Sequence, residues 1–377
     1  MDSGSKSGMT AVMKFYTNLF EKIISLPNLF LAWEEFKKGK VNKKDVLEFE
    51  WHLEQNIVEL YRELKYHKYK HGVYTKFRIC DPKPRVIHKA TVRDRVLHHA
   101  IFRVLNPLFE PCFISNSFSC RIRKGTHKGV ATLGKILRRV SQNGTRPCFA
   151  LKCDIRKFFD SVDHSILLGI IKKKIKDEEA IWLIKEIMES FPPASQIERE
   201  RERESKPRPR QESLFSSRGL PIGNLTSQLF ANIYLNEFDY FIKHELGVKN
   251  YVRYTDDFVI VGKSENKLLG FLPKIESFLA EKLKLSLHPN KVEVRKYHQG
   301  VDFLGYVVLP KHRKLRTKTK TRIFKKLKRR IAEYKSGVIS EYTLEQSLNS
   351  YLGTLSHADS FDLQNELKNN FWFWLRE

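Results

Sequence analysis

Three carboxylates stand where strands should end. Asp154 follows the short apolar run 149–153, and Asp256 and Asp257 sit side by side between two strand-like runs, 251–254 and 258–261. Adjacent acids between apolar strands repel each other strongly unless a counter-charge is near. A polar hairpin turn is one home for such a pair, because turns favour Asp. Divalent cations are the other. Mg²⁺ prefers oxygen ligands, keeps several waters and takes one or two carboxylates together with substrate phosphates. Two such ions about 3.5–4 Å apart stabilise both the attacking and the leaving oxygens of an in-line phosphoryl displacement.

The elements that must hold these acids can be read from periodicity. Residues 10–72 read as helical, with Phe15, Leu19 and Ile23 or Ile24 at helical spacing, followed by Phe49, Leu53, Ile57 and Leu60. Tyr74, Phe77 and Ile79 alternate as in a strand, Pro82 and Pro84 interrupt it, and extended chain resumes at 86–89. Helices are expected at 92–109, 229–240 and 267–285, strands at 149–153 and 302–308, and a hairpin at 251–261 with its acids at the turn. Residues 192–217 break the pattern. Two prolines stop the preceding helix, Glu and Arg then alternate through 198–204, and Pro207 and Pro209 follow, which reads as an exposed flexible insertion. Strands mixed with helices and hairpins give an α+β class.

The bulk composition bears on partners. Lys and Arg number 69 against 43 Asp and Glu, a formal net charge of +26 in 377 residues. A polyanion is the natural complement, and nucleic acid is favoured over a membrane, since no apolar run approaches the roughly 20 residues that span a bilayer. The first ten residues carry no signal-peptide pattern. Five cysteines without a CxxC pair suggest neither a disulfide framework nor a zinc site, and read as buried free thiols of a cytoplasmic protein. From 311 to 335, 13 of 25 residues are Lys or Arg.

Four blocks in order carry a resemblance. Tyr254-Thr255-Asp256-Asp257 resembles the YxDD box of reverse transcriptases. KCDIRKFFDSVDH at 152–164 resembles their first palm motif, GLPIGNLTSQLFANIYLN at 219–236 the next one, and DFLGY at 302–306 their primer grip. The resemblance covers roughly 75–310 and implies a right-hand polymerase: an N-terminal helical region at 1–75, fingers at 76–150, a palm at 151–310 and a short basic helical thumb at 311–377. It implies an RNA-directed DNA polymerase using two Mg²⁺ ions, with Mn²⁺ a possible substitute. Asp154, Asp256 and Asp257 would be the metal ligands, with the Ile155 carbonyl as a backbone oxygen. Phe159 matches the aromatic steric gate that excludes ribonucleotides. Lys83 and Arg85, two apart on extended chain and so on one face, match fingers cations that hold the incoming dNTP. Lys291 resembles a palm lysine near the nucleotide phosphates, and Gly223 would let backbone approach nucleotide or template. Phe303, Leu304 and Gly305 would form the primer grip. Lys325, Lys326, Lys328 and Arg329 would contact the phosphates of template RNA and the DNA/RNA hybrid. About 70 residues follow the primer grip, and a second catalytic module is not expected in them.

Two segments narrow the resemblance. IGNLTSQ at 222–228 and SFSCRIRKGTHK at 117–128 resemble the reverse transcriptases of diversity-generating retroelements, which misincorporate opposite template adenines and work with an accessory variability protein. Many reverse transcriptases have Gln where Ile222 stands. Ile offers no side-chain hydrogen bond, so discrimination against mispairs beside it should weaken. The 192–217 insertion is longer than that subgroup leads one to expect. Other bacterial reverse transcriptases, group II intron-like or phage-defence, and a non-catalytic RNA-binding protein are the rival expectations.

Overall fold

The computed structural model describes residues 15–80, 84–191 and 218–377. The expected insertion at 192–217, and Lys83, lie outside the described residues. The fold is α+β, and the chain divides into two interleaved compact units. Of the five cysteines expected to be buried, only Cys148 and Cys153 are so, while Cys80 and Cys120 are exposed.

The first unit comprises the described residues of Met1–Ile114, Lys157–Tyr240 and Phe278–Ser286. It opens with helices α1 (Leu19–Ile24), α2 (Leu26–Lys37), α3 (Lys44–Trp51) and α4 (Leu53–Lys65), then a two-stranded ribbon of β1 (Thr75–Ile79) and β2 (Arg85–Lys89). The single helical pattern read through Phe49–Leu60 is in fact broken at His52, between α3 and α4. Phe15 lies outside any helix and is exposed. Helix α5 (Val92–Phe109) covers the expected span. Its N-cap Thr91 accepts from Asp94 N at 3.2 Å, and buried Asp94 in turn accepts from Tyr69 Oη at 2.8 Å. N-capping of this kind contributes about 1 kcal/mol.

Further along come α7 (Phe158–Ser161), α8 (His164–Lys172), α9 (Glu178–Glu189) and a helix beginning at Leu225, four residues earlier than expected. That helix, Leu225–Tyr240, buries Ser227, Leu229, Phe230, Ile233 and Phe238 on several faces, which explains its poor amphipathic signal. It packs against α5.

The second unit comprises Ser115–Arg156, Phe241–Ser277 and Leu287–Glu377. Its centre is a four-stranded antiparallel sheet in the order β4-β5-β3-β6: β3 is Phe149–Asp154, β4 Tyr251–Tyr254, β5 Asp257–Gly262 and β6 Glu293–Lys296. Helix α6 (Thr126–Val140) lays Val130, Leu133, Leu137 and Val140, three or four residues apart, into a core shared with Ala150, Val252, Val259 and Val261. The helix expected at 267–285 is two pieces, Glu265–Leu269 and Leu272–Leu283, parted at Gly270.

The strand expected at 302–308 is a hairpin instead. Val301–Phe303 and Tyr306–Val308 pair antiparallel, and Leu304 (φ 51°) with Gly305 (φ 87°) makes the turn. A third strand, Arg313–Leu315, completes this sheet. The basic stretch then forms Thr317–Lys335, followed by Glu341–Leu355 and Phe361–Arg376. Ile323, Leu327 and Ile331 recur every four residues and bury against Leu344, Leu355, Leu367 and Phe371. Replacing Leu327, fully buried there, by Ala should cost about 2–5 kcal/mol.

Candidate active site

The second unit brings all three acids onto adjoining backbone. In the β3–β5 ladder Asp154 lies directly opposite Asp257, and Tyr254 opposite Asp257 closes the β4–β5 hairpin. Thr255 and Asp256 make the turn. Thr255 has φ 53°, a left-handed conformation uncommon for a β-branched residue. Two contacts hold it: its carbonyl accepts from Arg253 Nη1 at 3.1 Å, and its hydroxyl donates to Ser119 Oγ at 2.5 Å. Ile155 N donates to the Asp256 carbonyl at 3.1 Å, which ties the end of β3 to the turn. On the other side His288 N donates to the Asp154 carbonyl at 2.8 Å.

The electrostatics are those of a crowded anionic ledge. Burial pushes the Asp257 carboxyl up to about 6; Lys152 opposes the rise, while Asp154, Asp256 and Asp302 add to it. Asp257 Oδ1 is buried with no hydrogen-bond partner among the described residues. Lys291 Nζ pairs with Asp154 Oδ1 at 2.8 Å, and Lys152 Nζ lies 3.7 Å from Asp302 Oδ1, which Arg316 also contacts. Lysines 152 and 291 thus already supply part of the cationic charge that the acids require.

The donors suit a hard divalent ion. They are carboxylate oxygens on rigid strand ends, one of them orphaned, beside the backbone of Ile155. Among the described residues no three His, Cys, Asp or Glu side chains form a ready metal-binding group. An open ledge of this kind matches the coordination habit of Mg²⁺, which retains waters and completes its shell with substrate phosphates.

The remaining expected residues are distributed over both units. Phe159, half-buried on α7, stacks edge-on against buried Phe158 with centroids 5.3 Å apart, and its carbonyl accepts from Leu220 N at 2.7 Å. The Ile222 carbonyl accepts from His88 N at 3.2 Å, which attaches the segment to β2. Gly223 has φ 115°, and a Cβ there would come within 2.9 Å of Ile87 Cγ2, so its first neighbour is the β2 ribbon. Arg85 begins β2 and is exposed.

In the second unit Phe303 is fully buried, which leaves Leu304 and Gly305 as the outward part of the expected primer grip. Gly305 O accepts from Arg316 N at 3.0 Å. Lys325, Lys328 and Arg329 are exposed on the basic helix. Lys328 lies over the Trp374 ring, and Arg329 pairs with Glu333 at 3.3 Å.

Sequence reading missed the supports: Ser119, Arg253, His288 and the Lys152–Asp302–Arg316 cluster. Alternation along β3 puts Lys152 on the face of Asp154 and was the available signal.

Residues 70–308 match the family described as reverse transcriptase (RNA-dependent DNA polymerase). The chain belongs to the reverse transcriptase family. Its α+β fold is that family's polymerase fold. The chain is 24% identical over 264 residues to protein YkfC of Escherichia coli K12, covering 61% of this chain and 64% of that protein. It is 22% identical over 370 residues to the group II intron-encoded protein LtrA of Lactococcus lactis, covering 80% and 58%. The chain therefore spans about three fifths of the length of the curated relatives it matches. A solved telomerase from Candida tropicalis aligns over 70% of this chain and 60% of that one, at 12% identity and a TM-score of 0.44. No described helix is long and apolar enough to cross a membrane.

Proposed function

We propose that this reverse transcriptase-family chain is an RNA-directed DNA polymerase that extends a primer with dNTPs along an RNA template. The observation that carries the reading is the acid ledge: Asp154 in register with Asp257, Asp256 at the adjoining turn, and a buried Asp257 oxygen without a partner. Asp154, Asp256, Asp257 and the Ile155 carbonyl would hold two Mg²⁺ ions. Bound there, divalent cations supply positive charge at the attacking and leaving oxygens of phosphoryl transfer.

The protein's own residues do the rest. Lys291, now paired with Asp154, exchanges that partner for the triphosphate, with Lys83 and Arg85 as further phosphate ligands. Phe159 blocks a ribose 2′-hydroxyl. The Ile222–Gly223 backbone shapes the nucleotide pocket. Leu304 and Gly305 seat the primer, and the basic helix with Lys325, Lys326, Lys328 and Arg329 tracks the hybrid backbone. In this reading the lobes are the N-terminal helices to 75, fingers at 76–150, palm at 151–310 and thumb at 311–377.

Two subgroups compete. The names of the relatives favour a group II intron-like enzyme. IGNLTSQ, with Ile222 in place of a polar residue, favours an error-prone enzyme of a diversity-generating retroelement, working with an accessory variability protein. The polymerase reading is tested by extension of an oligo(dT) primer on poly(rA) with dTTP and Mg²⁺. Templated extension supports it; none with either Mg²⁺ or Mn²⁺ overturns it.

A further inference from the structure

A cavity of about 270 Å³ lies wholly within the second unit, between α6 and the loop that joins strands Tyr306–Val308 and Arg313–Leu315. From α6 it takes Ala131, Gly134, Lys135 and Arg138, which share one helical face by their spacing. The loop adds Lys311 and His312, and the following strand Arg313. Tyr297 fixes the loop. It is 3% exposed and donates its hydroxyl to the Leu309 carbonyl at 3.2 Å, while Leu309 N donates to the His312 carbonyl at 2.9 Å. Burial pushes the Tyr297 phenol up, and the charge of nearby Arg138 opposes the rise.

Four cations thus meet at one cavity, and no acid offsets them. The lining holds neither Asp nor Glu, and Lys135, Arg138, Lys311 and Arg313 form no ion pair among the described residues. Elsewhere in this unit Lys152, Lys291, Arg316 and Arg329 each meet a carboxylate. A cleft lined by one sign of charge focuses the field and concentrates counter-ions. His312 lacks a partner as well: its Nε2 is buried and bonded to nothing described. Buried polar groups are nearly always paired in folded proteins.

Size and charge density select the ligand. The basic helix Thr317–Lys335 spreads its cations along an axis, as a nucleic-acid backbone requires. Here they converge on a space below the roughly 300–1,000 Å³ of drug-sized pockets. A phosphate group carries about −1.5 to −2 near neutral pH, so two or three of them balance four cations, whereas each carboxylate brings a single charge. We infer that this cavity binds a free, compact inorganic polyphosphate ion. The Arg138 and Arg313 guanidinium forks and the Lys135 and Lys311 ammonium groups hold its oxygens, and His312 Nε2–H donates to one more. The site uses none of the three acids and stands whether or not the chain polymerises.

Isothermal titration calorimetry of inorganic tripolyphosphate into the full chain in EDTA tests this. One ion per chain should bind saturably. Arg138→Ala and Lys311→Ala should each weaken it about tenfold or more, the loss of a hydrogen bond to a charged group. Both side chains are exposed, so the fold is not at stake. Ala131→Glu, which adds a carboxylate to the lining, should abolish binding. Lys291→Ala and Lys325→Ala, outside the cavity, should leave it unchanged. Absence of saturable binding overturns the inference. So does binding that falls in Lys291→Ala but not in Arg138→Ala, which would assign the ion to the proposed dNTP phosphate ligands. Displacement of the ion by a short single-stranded RNA overturns it too, because the cavity would then belong to a nucleic-acid track; co-binding of the two sustains it.

Discussion

Replacing Asp257 by Asn should stabilise the metal-free protein while abolishing polymerisation. Asp257 is buried beside Asp154, Asp256 and Asp302, and its carboxyl rises from an ordinary 3.8 to about 6. At 1.36 kcal/mol per pH unit, keeping it ionised at pH 7.5 costs about 3 kcal/mol. Asn removes that cost but buries amide donors, and each unsatisfied polar group returns about 1–3 kcal/mol. With one amide group left unsatisfied, the expected net gain is about 0–2 kcal/mol, at most a few degrees in Tm. Mg²⁺ should reverse the ranking, since a ligand that binds only the native state stabilises it in proportion to its affinity. Thermal unfolding of parent and Asp257→Asn in EDTA and in 10 mM Mg²⁺ measures both effects. If the variant is the less stable in EDTA by 1 kcal/mol or more, and Mg²⁺ raises both proteins equally, the account of Asp257 as a metal-poised, repelled carboxylate is wrong.

Phe159→Ala should admit ribonucleotides, measured as the ratio of kcat/KM for rNTP and dNTP; an unchanged ratio removes Phe159 as the gate. Ile222→Gln should lower misincorporation opposite template adenine more than opposite other bases. A new hydrogen bond contributes about 0.5–1.5 kcal/mol, up to roughly tenfold in fidelity; single-nucleotide incorporation on templates differing at one base checks it. If the parent copies adenine as faithfully as guanine, the diversity-generating reading fails. His98 gives a pH dependence. Its pKa is about 3 when folded and 6.5 when free, with His71, His99, Arg95 and Asp94 as its charged or titratable neighbours. Between those values only the unfolded chain holds the proton, so stability falls as pH drops through 6.5. From pH 7.5 to 5.5 the loss is about 1.4 kcal/mol, and His98→Leu should remove that component from urea titrations at the two pH values.

Much of the frame of the acid ledge was legible because its signals are local. An apolar run stopping at Asp154 marks a strand end, and two apolar runs around Thr255-Asp256-Asp257 mark a hairpin; the register bears out the hairpin, but Asp257 begins β5, paired with Tyr254, and only Thr255 and Asp256 form the turn. Helix α5 was legible from its periodicity at its full length. Breaks within elements were not. Leu304 is no turn former, and only its φ of 51° beside Gly305 reveals the hairpin that splits 301–308. His52 and Gly270 interrupt apolar patterns that run smoothly through them in one dimension. Long-range constellations were least visible. The Lys152–Asp302 contact joins residues 150 apart in sequence, and no local period connects them.

The central claim is metal-dependent, RNA-templated DNA synthesis on the Asp154–Asp256–Asp257 ledge. Its most direct test is primer extension on an RNA template by the parent, Asp154→Asn and Asp256→Asn, with and without Mg²⁺, alongside binding of the same primer–template. The account predicts Mg²⁺-dependent synthesis by the parent, a loss of several kcal/mol in transition-state stabilisation that leaves no detectable product in either variant, and primer–template affinity retained in both. Substantial synthesis by either variant, or by the parent in EDTA, would contradict it.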